Sequence, residues 1–101
     1  MNLPLIVALS AKNDVVEISR WYDSQTPQTG ERFLIALDRK FERVCEHPLI
    51  YRALRNSEIR RCKLEHWPYH VFFTCTGTSI EIIAIIHTSR DPEYISQRTS
   101  S

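Results

Sequence analysis

The chain has 101 residues, 43% of them hydrophobic and 25% charged, with a formal net charge of +1. That is the composition of one soluble domain able to bury roughly two-thirds of its unfolded surface, which excludes a disordered chain, a collagen-like fibre or two independent domains. No run approaches the ~18 uncharged apolar residues of a membrane span, and Met1-Asn2-Leu3-Pro4 lacks a basic and then apolar leader, so a cytoplasmic protein is expected.

Leu3 to Leu9 is a short apolar run, too brief for a helix, and reads as the first strand, with Ser10 as the N-cap of the first helix. From Ala11 to about Ser24, Val15, Ile18 and Tyr22 recur at helical spacing, and Asp14 and Glu17 suit a helix N-terminus. Gln25-Thr26-Pro27 breaks the pattern, with Thr26 as cap and Pro27 as first residue of a second helix. That helix carries Phe33, Leu34, Leu37, Phe41, Val44 and Cys45 at i, i+3, i+4 and i+7 and stops at His47-Pro48. Trp21, Tyr22 and Trp67 read as core or rim aromatics.

After Pro48 the period changes to two. Tyr51 to Leu54 is a weak strand, Glu58 to Glu65 a better one, and Tyr69 to Thr76 alternates cleanly. Thr76-Gly77-Thr78-Ser79 is a hairpin turn into Ile80 to about Thr88, apolar at nearly every position and so a central strand covered on both faces. The expected fold is α+β: an N-terminal strand, then a two-helix hairpin packed on an antiparallel sheet of four to five strands. Residues 1–92 form the domain and residues 93–101 a polar tail.

Two glycines are too few for a Rossmann or P-loop phosphate cradle, and no cofactor is expected. Cys45, Cys62 and Cys75 are odd in number and far apart, and read as reduced thiols. His47, His66 and His70 lack metal-ligand spacing, so no metal role is assigned. The net charge hides a basic window: Arg52, Arg55, Arg60, Arg61 and Lys63 are opposed only by Glu58. On a strand Arg60 shares its face with Cys62 and Leu64, and Arg61 shares the other with Lys63, so one arginine is structural and the Arg61 row is the better contact candidate. His87 ends the most apolar strand on the face of Ile83 and Ile85, either as a hydrogen-bonded structural histidine or as a functional one. Arg90 and Asp91 follow closely enough to pair.

The order of these elements, together with Ala11-Lys12-Asn13-Asp14, Ile18 to Tyr22, Gly30 to Leu34, His47 to Arg52, Ile59-Arg60-Arg61, Trp67-Pro68-Tyr69 before Val71-Phe72-Phe73, and Ile85 to Pro92, resembles the RelE/ParE toxin superfamily of type II toxin–antitoxin systems. The resemblance implies a growth-arresting toxin neutralised by a cognate antitoxin in a hetero-oligomer. It leaves two targets: DNA gyrase, inhibited without cleavage as by ParE-like members, or ribosome-bound mRNA, cut as by RelE-like endoribonucleases. The cleaving branch looks for an arginine at the start of the strand after the basic hairpin, where this chain has Trp67-Pro68-Tyr69-His70. A cation there would steady the phosphorane charge, so the departure favours the ParE-like branch. For cleavage the candidates are Arg61, His87, Arg90 and Tyr94; for target or antitoxin binding they are Arg60, Arg61, Lys63, His87 and Arg90. A third reading is a non-toxic binding module kept for antitoxin complex formation and autoregulation.

Overall fold

The computed structural model describes residues 2–90 together with Ile95. Strand β1 (Leu5–Val7) leads into helices α1 (Leu9–Gln25) and α2 (Thr29–Glu46), then a 3-10 turn at Pro48–Ile50, and strands β2 (Arg60–Lys63), β3 (Tyr69–Cys75) and β4 (Ile80–His87). They form one four-stranded sheet of order β1-β4-β3-β2. The last three strands run antiparallel as expected, whereas β1 joins β4 in parallel, with Leu5 opposite Ile80 and Val7 opposite Ile82. The helical hairpin supplies the long crossover that a parallel pairing requires. Among the described residues no helix is long and apolar enough to cross a membrane.

Ser10 is not the N-cap of α1; Ala8, extended at φ −61° and ψ 151°, precedes the helix, and Ser10 lies inside it. Its hydroxyl is used elsewhere. Strand β1 ends at Val7, and beyond it the free side of β4 would expose unpaired backbone groups, which is costly in a core. The Ala8 N–H donates to Ile82 O at 2.9 Å, Ser10 Oγ donates to Ile83 O at 3.0 Å, and the Ile85 N–H donates to Asp14 Oδ2 at 2.9 Å. Ser10 and Asp14, one turn apart on α1, thus take the place of a longer strand.

The second helix starts two residues later than Pro27. Gln28 holds a left-handed φ of 73°, and Asp23 of α1 caps α2 from outside, its Oδ1 accepting from the Gly30 N–H at 2.8 Å. Gly30 is buried at the helix crossing, where an added Cβ would collide with the Ser19 carbonyl oxygen and lie 2.8 Å from the Asp23 carboxyl group. The expected strand at Tyr51 to Leu54 is reduced to one bridge, Ala53 opposite Arg60, flanked by hydrogen bonds from the Leu54 N–H to Ile59 O at 2.7 Å and from the Arg61 N–H to Arg52 O at 3.1 Å, while the Tyr51 ring lies edge-on to Phe73. Strand β2 is correspondingly shorter than expected.

Phe33, Leu37, Val44, Val71, Phe73, Ile80, Ile82 and Ile85 form the main core between helices and sheet. One end is closed by the rings of Tyr22, Phe33, Trp67 and Tyr69, while Trp21 stays 55% exposed. Phe72, Ala84, Ile86 and Ile95 form a second, smaller cluster on the face away from the helices, so β4 is covered on both faces as its composition implied. Of the polar tail, only Ile95 lies among the described residues, and it is buried.

Candidate functional site

Register decides which candidate side chains share a surface. Arg60 is opposite Phe73, a core residue, and so lies on the helix side of the sheet; Arg61 is opposite Phe72 and Lys63 opposite His70, on the other side. Arg60 is half-buried, and its Nη1 donates to the Tyr51 carbonyl at 2.6 Å, fixing the irregular segment against β2. It is the structural member of the pair. Arg61 and Lys63 are exposed and flank His70. Burial, then the Arg61 and Lys63 charges, hold His70 below its ordinary value of 6.5, so at neutral pH the imidazole is uncharged between two cations. The outward row Arg61, Lys63, His70 therefore borders the apolar cluster of Phe72 and Ile86 with fixed positive charge.

His87 stands elsewhere. A bulge opposes Phe72 to Ala84 but Phe73 to Ile82, which leaves Ile83 as the extra residue on β4. Past that point the alternation is reversed, so His87 shares its face with Ile85 but not, as expected, with Ile83, which packs with the outer cluster. The imidazole is exposed, edge-on to Tyr69 with centroids 5.4 Å apart. Its Nδ1 lies 2.8 Å from Ser89 Oγ and accepts from the Ser89 N–H at 3.1 Å, which places the proton of the neutral ring on Nε2. Burial, with the Tyr22 hydroxyl beside it, pushes the Tyr69 phenol up to about 12, leaving it protonated. Arg90 is exposed beside His87 in a shallow groove of ≈ 160 Å³ with Asp14 and Glu17.

The candidates therefore do not converge. Arg61 and His87 are two strands across and three residues along from one another, roughly 14 Å between Cα atoms, and on opposite faces. Two groups so placed cannot act on one phosphate. Tyr94 and Asp91 lie outside the described residues. Sequence reading gave His70 no part in the row, although its alternation with Phe72 marks them as one face. It also passed over a basic flank of α2 formed by Arg32, Arg39 and Arg43, for which the spacings of seven and four were the available signal.

No curated protein matches the sequence. Among solved structures, a chain of the chromosomal ParDE TA system from P. aeruginosa superimposes with a TM-score of 0.76 at 19% identity, covering 84% of this chain and 95% of that one, a likeness of fold. The family model for the ParE toxin of type II toxin–antitoxin system, parDE, matches residues 5–92, which is every element of the sheet and both helices. The chain belongs to the ParE toxin family of type II toxin–antitoxin systems.

Proposed function

We propose that this chain is a cytoplasmic toxin that binds DNA gyrase and inhibits it stoichiometrically until a cognate antitoxin neutralises it in a hetero-oligomer. The observation that carries this is the match to the ParE toxin model from residue 5 to residue 92. The geometry favours binding over catalysis in two respects. Arg61 and His87 lie on opposite faces of the sheet, and the grooves at α2 and beside His87 are open rather than enclosing a small substrate. Such a surface suits a large partner. On the antitoxin side, the exposed Arg61 and Lys63 on the outer face of β2 fit an acidic segment that orders on binding.

The purified chain is expected to block gyrase supercoiling in vitro, with activity restored by equimolar antitoxin. Undiminished supercoiling at micromolar excess of a folded chain overturns this function. Cut messages on translating ribosomes would assign the endoribonuclease activity instead, and unaffected growth with confirmed soluble expression would assign a non-toxic binding module.

A further inference from the structure

Helix α2 carries no net charge, yet its charges are sorted by side. At 100° per residue, Arg32, Arg39 and Arg43 fall within about 40° of one another, with Ala36 beside them, whereas Glu31, Asp38, Glu42 and Glu46 fall within about 80° on the adjoining flank. The basic flank faces the β2–β3 turn across an open groove of ≈ 770 Å³, bounded on its far side by Glu65, His66 and Trp67. Lys40 is 13% exposed, and its Nζ reaches Glu65 Oε1 at 3.8 Å in an ion pair across that groove. The three arginines are exposed, and among the described residues their guanidinium groups are engaged by no hydrogen bond or ion pair. From Arg32 to Arg43 the ridge runs roughly 16 Å at 1.5 Å per residue, about five base-pair steps of a duplex at 3.4 Å each.

We propose that this α2 ridge is a contact for the phosphate backbone of duplex DNA, independent of base sequence. Two features select that partner. The side chains are guanidinium forks, which match phosphate oxygens in geometry as well as charge. Leu64 is buried and Trp67 is packed edge-on against Tyr22 and Phe33, so the groove lacks the exposed aromatic platform of a single-strand groove. Arginine forks can also read a guanine edge, so equal affinity for unrelated sequences is what marks a backbone contact. Glu42 and Glu46 on the adjoining flank, and Glu65 across the groove, weaken the site and confine the phosphates to the arginine side. That the duplex is DNA rather than RNA rests on the gyrase reading, which sets the chain beside DNA; the ridge itself does not depend on it.

The test is fluorescence anisotropy of the whole chain with labelled duplexes of two unrelated sequences. Three phosphate contacts give a slope of log K against log salt of about −2.7, a loss of about 40-fold in affinity between 50 and 200 mM salt, equal for both sequences. Arg32→Ala/Arg39→Ala/Arg43→Ala should abolish most of that slope, and the corresponding triple lysine variant, which also guards against a folding defect, should keep it. The proposal is overturned if the alanine triple binds like the parent, if Arg61→Ala/Lys63→Ala removes the slope instead, or if poly-glutamate or an RNA duplex binds more tightly than DNA. Failure of the gyrase reading would appear in the supercoiling assay and leave the DNA titration unchanged, so the two failures are distinguishable.

Discussion

The helix crossing at Gly30 provides the sharpest test of how the two helices are held together. In Gly30→Ala the new methyl group meets the Ser19 carbonyl, which is backbone and cannot swing aside, and the Asp23 carboxyl group at 2.8 Å, which can. Overpacking a closed site costs ~1–3 kcal/mol. If Asp23 moves to make room, the hydrogen bond from its carboxylate to the Gly30 N–H, 2.8 Å long, is lost, a further ~1.5–3 kcal/mol for a charged acceptor. Alanine returns at most about 1 kcal/mol of helix propensity. The net loss is therefore about 2–4 kcal/mol, or a fall in Tm of roughly 8–30 °C for a domain of this size. Urea titration followed by circular dichroism reads it directly, with the midpoint falling and the slope unchanged. Adding Asp23→Ala should then cost less than it does in the parent, because the pair is coupled through one contact. A Gly30→Ala protein within about 0.5 kcal/mol of the parent would refute the close crossing.

Asp14→Ala should cost ~1.5–3 kcal/mol by stranding the Ile85 N–H, with Asp14→Asn recovering most of it because the amide oxygen still accepts; equal losses in both variants would contradict the role assigned to that carboxylate. Because His70 is held below its unfolded value of 6.5, its contribution is complete above about pH 6.5 and is lost as pH falls toward the folded value; pH-dependent urea midpoints should show this, and His70→Gln should flatten that part of the profile. Arg60→Ala should lower stability with little effect on antitoxin affinity, whereas Arg61→Glu/Lys63→Glu should weaken antitoxin binding by roughly 3- to 30-fold at near-normal stability; calorimetry on both variants separates them, and the reverse pattern would place the contact on the wrong face. Burial lifts the Cys62 thiol to about 11, so it should resist an aromatic disulfide reagent at pH 8 until the chain unfolds, a rate that rapid labelling of the native protein would contradict.

The order of elements was legible because each sequence period is dictated by burial. The alternation from Tyr69 to Cys75 and the heptad-like stripe of Phe33, Leu37 and Val44 face the core as they read. What failed to read were features set by distant partners. Ser10 has the chemistry of a cap, but a carbonyl 73 residues away competes for its hydroxyl. Thr26-Pro27 has the form of a helix start, yet the turn needs a left-handed residue at Gln28, and the cap comes from Asp23 on the preceding helix. Tyr51 to Leu54 has strand composition but spends its aromatic ring on the core. In the candidate site, the split between Arg60 and Arg61 followed from alternation alone. The environment of His87 did not, because one inserted residue reverses every inference made across it.

That insertion connects the fold to the surface it presents. Ile83 lets β4 place Ile80 and Ile82 on the helix side, and then, after the bulge, Ile85 and His87 on the same side, while Ala84 and Ile86 turn outward to meet Phe72 and Ile95. Without the extra residue, strict alternation from Ile82 would put Ile86 toward the helices and both Ile85 and His87 outward, beside His70 and the Arg61 row. The bulge is held open from α1, where Ser10 and Asp14 bind the backbone on either side of Ala84. A polar pair on the first helix thereby determines that the imidazole at the end of β4 and the cations on β2 occupy different faces. Arg61 and His87 therefore cannot meet on one phosphate, and the imidazole that stands beside the cations of β2 is that of His70.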